Sequence, residues 1–489
     1  MLFPSTPLTL YEHEAYLVQL STFDISLPRC TLVPGKNAFN FPQYDCLRPN
    51  LKTQMPPKKP NTQLETLLGF QKRNGNVARL HSGLNPEILA KQTYDHFIQS
   101  AVEPSSLKVF EQFHHSPIDI SNQDFDEWLR TQDNPDVVRK LSQSDSPVNE
   151  RLTNLFNFMI KTAVKPAMQD SDYNKVASVQ TIAAALKSVN ALYCPIFIKL
   201  KRRWLSVMRS KYVYLTDLSL DEFEELLNKR FSSIEYLNST RIENDISKYD
   251  KSMRAWTLLF ETRIYKALGL PDHLALIWYQ SHVLSRYLDS VSGFSTTVAY
   301  QRRSGDASTF FGNTLVNHAV AMAIYADYEL LGGVFAGDDN HLWGLSTLRD
   351  NVAPIYSDIF NFEAKTLTHF HTSYFCGKFI LASVDGFTIV PDPIKLLMKL
   401  GRRDLRNWDH VAQYQVSCKD NMKPLLNAFI YRQLSEAISE RYNSSITEFS
   451  GLFHSINFVV STQHEFSKLY YTLPDDRLLL DPSLPSLEV

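Results

Sequence analysis

A carboxylate is costly inside a packed sheet, yet residues 334–343 read Val-Phe-Ala-Gly-Asp-Asp-Asn-His-Leu-Trp. The apolar residues on either side predict two short strands, so Asp338 and Asp339 fall at the tip of a tight hairpin, clear of the interior. Two carboxylates aimed into one cleft suit Mg²⁺, which prefers hard oxygen ligands and keeps coordination sites for substrate phosphates. The tripeptide Gly337-Asp338-Asp339 says little alone; its surroundings decide.

A chain of 489 residues exceeds the size at which one core stops growing, which predicts two or three subdomains. The formal net charge of −2 provides no global basic field, so any groove for a polyanion must be local. Five cysteines, Cys30, Cys46, Cys194, Cys376 and Cys418, lack paired spacing, which predicts reduced thiols in a cytosolic setting and no zinc site. The N-terminus lacks the basic start and apolar run of a signal peptide. The longest apolar stretch, 319–335, is broken by Asp327 and Glu329, so membrane contact is expected only through partners.

Residues 1–62 carry Pro28, Pro34, Pro42, Pro49, Pro56, Pro57 and Pro60 without a sustained period, and read as an extended or loosely packed connector. Helical patterns alternate with polar loops over 63–170, and a helix-like stretch over 176–212 carries Lys199, Lys201, Arg202, Arg203, Arg209 and Lys211. Residues 241–246 predict a short strand; 252–268, 308–325 and 348–360 predict helices. Strands over 374–384 and 387–390 are joined by Asp385-Gly386, and the pattern from 394 onward is mostly helical.

Upstream of the hairpin, Asp245 falls near a strand end and Asp250 at a helix start. Taken alone, these two read as a helix cap and a solvated turn. Beside the hairpin, Asp245 reads as a third carboxylate completing a two-metal cage, with ions about 3.5–4 Å apart. Between these stretches runs 301–314, in which Gly305 permits an unusual backbone angle. In the helix after it, Thr309, Asn313 and Asn317 recur at four-residue steps, a polar face suited to a ribose or simply to solvent.

In order and spelling these elements resemble the RNA-dependent RNA polymerases of the alphavirus-like supergroup of positive-strand RNA viruses, in particular tobamovirus-like (virgavirus-type) replicases. Residues 245–252 are similar to motif A, 304–313 to motif B, 337–339 to motif C, 361–365 to motif D and 375–378 to motif E. Lys161 with Lys165, and 187–193, resemble the basic motif F. The resemblance covers about 155–420 and fades before it.

The resemblance implies an α+β right-hand fold of fingers (63–240, with 270–300 inserted), palm (241–391) and thumb (392–489), the palm being a small antiparallel sheet backed by helices. It implies RNA synthesis from ribonucleoside triphosphates on an RNA template, with two Mg²⁺ ions (Mn²⁺ as a substitute) held by Asp245, Asp338 and Asp339. Asp250 and Asn313, with Ser304, Gly305 or Thr309, would read the ribose; Lys365 would protonate departing pyrophosphate; Lys161 and Lys165 would meet the triphosphate. Phe375, Cys376, Gly377 and Lys378 would support the primer strand, and the Arg302-Arg303 and Arg402-Arg403 pairs would line RNA channels. Implied partners are RNA and a viral helicase/methyltransferase replicase protein, in the host cytoplasm at membrane-associated replication complexes. Asn340 departs from the pattern, standing where such relatives carry serine, and no Gly-x-x-x-x-Gly-Lys-Ser/Thr phosphate loop is present. The rival readings are an inactive RNA-binding scaffold of the same shape and a reverse transcriptase; the Asp250/Asn313 pair argues against the latter.

Overall fold

The computed structural model describes residues 30–31, 47–56, 59, 61–75, 83–142, 153–161, 179–345, 352–369 and 373–472. Helices and strands mix without the strict alternation of a parallel sheet, so the chain is α+β. Its strands are β1 (Leu47–Pro49), β2 (Leu155–Lys161), β3 (Gln180–Ala185), β4 (Tyr212–Tyr214), β5 (Thr240–Ser247), β6 (Leu284–Asp289), β7 (Phe294–Ala299), β8 (Leu330–Ala336), β9 (Asp339–Gly344), β10 (Glu363–His369), β11 (Tyr374–Phe375), β12 (Lys378–Ser383), β13 (Gly386–Pro391) and β14 (Tyr470–Thr472).

The central sheet runs β10-β5-β9-β8-β4, antiparallel except where β4 joins β8. Behind it lies the helix Thr309–Ile324, whose sequence is apolar almost all round and which is accordingly buried almost throughout. A second sheet runs β3-β2-β6-β7, so the segment 270–300 returns two strands to the earlier part of the chain. Both sheets share one large hydrophobic core with the helices Pro86–Ala101, Lys187–Val207 and Ala255–Ala267. A smaller core packs the helix Leu220–Arg230 and the β11-β12-β13 sheet onto the other face of the central sheet, around Tyr236 and Trp343. A third core belongs to the C-terminal helices.

Between the central sheet and the C-terminal helix Tyr431–Tyr442, Arg441 donates to both carboxylate oxygens of Glu243 on β5 at 2.9 and 2.6 Å. His369 of β10 reaches the same carboxylate at 3.3 Å. Burial pushes the Glu243 carboxyl up, but His369 and Arg441 outweigh it and hold it below its ordinary range.

Several expectations need correction. Residues 180–185 form β3, not helix: the run Thr-Ile-Ala-Ala-Ala pairs along β2, and tertiary pairing overrides the helical preference of alanine. The strand expected over 374–384 is split by a turn in which Cys376 (φ 49°) and Gly377 (φ 75°) are left-handed. Residues 346–351 lie outside the described residues, and the helix expected over 348–360 is Ala353–Asp358. Much of 1–62 is also outside them, but its described part is not loose. Leu47 is buried, β1 pairs with β14, and Thr53 donates to the Met398 carbonyl at 2.6 Å.

The basic cluster at 199–211 is spent on structure. Lys199 pairs with Asp124 at 2.7 Å, Arg202 with Glu127 at 2.6 Å, and Lys201 with Asp217. Arg203, Arg209 and Lys211 donate to main-chain carbonyls. Among the described residues no helix is long and apolar enough to cross a membrane, and Cys30, Cys194, Cys376 and Cys418 are free thiols.

Candidate active site

Side chains alternate faces along a strand, and this alternation builds the site. On β5, Ile242, Asn244 and Ile246 turn into the large core, while Asp245 lies on the opposite face and is exposed. β9 pairs antiparallel with β5 up to Asn340↔Asn244, which leaves Asp339 beside Asp245 one step further. The hairpin predicted from sequence is present, shifted by one residue: Gly337 (φ 64°) and Asp338 form the turn, and Asp339 already pairs with Ala336. On the other side of β5, Lys365 of β10 is in direct register with Asp245 and is likewise exposed. The sheet thus gathers Asp245, Asp338, Asp339 and Lys365 at one end.

The donor set suits a hard divalent cation. Asp339 is half-buried, and its carboxyl is pushed up to about 6, first by burial and then by the negative charge of Asp338 and Asp245. A cation beside these oxygens would relieve that repulsion. The Cys376 thiol at the β11–β12 turn lies against Asp339, and burial together with that carboxylate pushes the thiol up. Among the described residues, no three His, Cys, Asp or Glu side chains close into a ligand cage.

Asp250 follows β5 through Lys248, which is left-handed at φ 54°, and a four-residue helix, Tyr249–Ser252. Asn313 donates its amide to Asp250 at 2.9 Å and accepts from Arg302 at 2.7 Å. Arg302 also pairs with Glu261 at 2.9 Å, so a buried ion pair fixes the Asn313 amide. Burial raises the Asp250 carboxyl, with Asp338 adding to it, although Asn313 and Arg302 pull it down.

Other predicted residues take different places. Gly305 is not left-handed; it is needed because a Cβ there would meet Ala184 Cα at 2.8 Å and Cβ at 2.9 Å. The loop docks on β3, where Gly305 donates to the Ala183 carbonyl at 2.9 Å and Ser304 Oγ accepts from the Ala183 N–H at 3.3 Å. Thr309 and Asn317, which share a helical spacing with Asn313, each have a partner or place of their own. The Thr309 hydroxyl is bonded to the Arg303 carbonyl, and Asn317 is buried behind the aspartate turn. Arg302 and Arg303 are buried too, so they line no channel; Arg303 donates to the carbonyls of His282 and Val298.

Lys161 is exposed at the end of β2, while Lys165 lies outside the described residues. Phe375 packs in the smaller core against Phe223, so its ring supports the Cys376-Gly377 turn from beneath and does not face the surface. Lys378 donates to the Cys376 carbonyl at 3.3 Å. Arg402 is held by Asp404 at 2.5 and 2.7 Å and lies 4.7 Å from the Tyr414 ring; Arg403 is half-buried beside it.

Asn244, the ordering role of Arg302 and the charge of Arg73, which helps lower the Asp250 carboxyl, belong to none of the sequence motifs. A polar residue at a core position of a strand was the available signal for Asn244.

A family model described as RNA dependent RNA polymerase matches residues 20–469. The chain is similar to the RNA replication protein of Citrus leprosis virus C, 31% identical over 442 residues, which are 89% of this chain and 17% of that protein. It is similar to the replicase large subunit of Sunn-hemp mosaic virus, 29% identical over 443 residues, 90% of this chain and 27% of that protein. It is also similar to the replicase large subunit of Tobacco rattle virus, 28% identical over 450 residues, 90% of this chain and 25% of that protein. The chain therefore spans between 17% and 27% of the length of these relatives.

Proposed function

The chain belongs to the RNA dependent RNA polymerase family, and from that premise we propose that it carries the nucleotidyl-transfer centre of a viral replicase. It joins ribonucleoside triphosphates into RNA on an RNA template and releases pyrophosphate, serving replication and transcription of a positive-strand RNA genome. The observation that carries this reading is the convergence of Asp245, Asp339 and Lys365 on neighbouring strands, with the Asp250–Asn313 pair next in the chain.

In this reading Asp245 and Asp338, assisted by Asp339, hold two Mg²⁺ ions, for which Mn²⁺ can substitute. When bound, such ions lower the pKa of the attacking 3′-hydroxyl and neutralise charge on the triphosphate. Asp250 and Asn313 recognise the ribose 2′-hydroxyl, which needs both a donor and an acceptor. Lys365 gives its proton to the departing pyrophosphate. Lys161 and Lys165 meet the triphosphate, and the Cys376-Gly377 turn with Lys378 carries the primer strand.

The β3-β2-β6-β7 sheet and its helices act as fingers, the central sheet as palm and the C-terminal helices as thumb. The relatives' name, replicase large subunit, supports a second replicase component. We assign that role to a helicase/methyltransferase protein, in the host cytoplasm at membranes reached through such partners.

The test is incorporation of labelled ribonucleotide on a primed RNA template with Mg²⁺. Asp338→Asn should abolish it while RNA binding persists. A variant as active as wild type would remove the metal-ligand assignment, and equal use of deoxyribonucleotides by the wild type would remove the ribose assignment.

A further inference from the structure

We propose that Asn317 is the positioning residue that fixes the aspartate turn, acting through Gly337 and Asn340. The proposal rests on the reading above for what the turn does. Gly337 and Asn340 flank Asp338 and Asp339, and one side chain holds both flanks. Asn317 Nδ2 donates to the Gly337 carbonyl at 3.1 Å, and its Oδ1 accepts from Asn340 Nδ2 at 2.6 Å. One helical turn earlier, Thr314 Oγ1 accepts from the Gly337 N–H at 2.9 Å. Both main-chain groups of the turn glycine are thereby tied to the buried helix.

The connection continues across the sheet. Asn340 Oδ1 accepts from Asn244 Nδ2 at 2.8 Å. Asn244 Oδ1 accepts from the Tyr325 hydroxyl at 3.0 Å and from Thr366 at 2.8 Å. Asn244 immediately precedes Asp245, Asn340 follows Asp339, and Thr366 follows Lys365. Neighbours along a strand point to opposite faces, so Asp245, Asp339 and Lys365 each have a chain neighbour held from behind by one hydrogen-bonded series.

Asn244, Asn317 and Asn340 are 1%, 0% and 1% exposed. Amides so far from water are tolerated only when bonded, and their bonds are directional where apolar packing is not. The series therefore specifies one placement of the turn relative to β5 and β10. A serine at position 340 would be too short to span from Asn317 to Asn244.

The test reads metal binding separately from catalysis. Mn²⁺ affinity of the whole chain, without RNA, is measured by electron paramagnetic resonance, and the Mg²⁺ needed for half-maximal incorporation is measured on a primed template. Loss of a group that orients metal ligands typically weakens binding about 10–100-fold. Asn317→Leu should weaken Mn²⁺ binding by at least about ten-fold and raise the Mg²⁺ requirement similarly. Its preference for ribonucleotides should hold, because the Asn313–Asp250 bond is a separate contact. Asn340→Ser should move both metal readouts in the same direction, which keeps the proposal testable if Asn317→Leu does not fold. Val320→Ala, in the core of the same helix, should lower the melting temperature and leave both metal readouts unchanged. Wild-type Mn²⁺ affinity in the foldable asparagine variants, or an equal shift in Val320→Ala, overturns the proposal. A wild-type chain that binds Mn²⁺ with the expected variant losses, yet incorporates no nucleotide, upholds the clamp and refutes the polymerase reading.

Discussion

Lys365 on β10 stands directly across the strand pair from Asp245 on β5, both exposed on the same face of the sheet. Directly opposed residues on an antiparallel pair have Cβ atoms about 4.5–5.5 Å apart, so this lysine is set beside a carboxylate before any ligand arrives. Replacing it with leucine should slow nucleotide incorporation about 10²–10⁴-fold, the usual worth of a positioned proton donor. Rapid-quench kinetics should place the loss in the chemical step. A variant of unchanged rate would mean that Lys365 is only a solvated cross-strand partner.

Asp250 and Asn313 are bonded at 2.9 Å, with Asn313 held from behind by Arg302. Asn313→Leu should reduce discrimination between ribo- and deoxyribonucleotides, raising relative use of the latter by about ten-fold or more, since an unpaired polar group penalises the analogue that lacks its partner. Competition between the two triphosphates on one template measures this. An unchanged ratio removes the pair from sugar selection.

The same aspartate makes a prediction about stability. Burial raises the Asp250 carboxyl above its ordinary range. In the window between the unfolded and folded values the native state holds more protons, so stability falls as pH rises through the folded value. Asp250→Asn has no such charge to bury. Its melting temperature relative to wild type should therefore rise as pH is raised from about 4, the unfolded carboxyl value, through the folded value, as followed by calorimetry. A constant difference would show that Asn313 and Arg302 neutralise the cost completely.

Two glycines should respond differently to alanine. At Gly305 the added methyl would meet the Ala184 backbone at 2.8 Å, whereas at Gly337 nothing lies within 4 Å but φ is 64°. Gly337→Ala should cost only the left-handed penalty, about 1–2 kcal/mol. Gly305→Ala must move the loop off β3 and should lower both the melting temperature and nucleotide incorporation more. Thermal melts of the pair decide the order.

The parts of the site legible in sequence were those whose chemistry is exceptional for their surroundings. Adjacent carboxylates between apolar strands belong at a strand end, and they straddle one: Asp338 is exposed in the turn and Asp339 is half-buried at the start of β9. Local propensity failed where packing outvoted it: alanine-rich 180–185 is a strand because β2 needs a partner. Charge was misleading for Arg302 and Arg303, which look like a solvated pair but are buried under carboxylate and carbonyl acceptors. Asn317 stands out in sequence by its four-residue spacing, but its task depends on which helix lies behind the hairpin, and no local pattern encodes that.

Glu243 lies two residues before Asp245 on β5, and Arg441 grips it from the C-terminal helical layer. The strand that exposes Asp245 is thus also where the C-terminal helices are fastened to the central sheet. Displacing that layer would therefore load the strand that carries Asp245, because an ion pair joins the C-terminal helices to the central sheet.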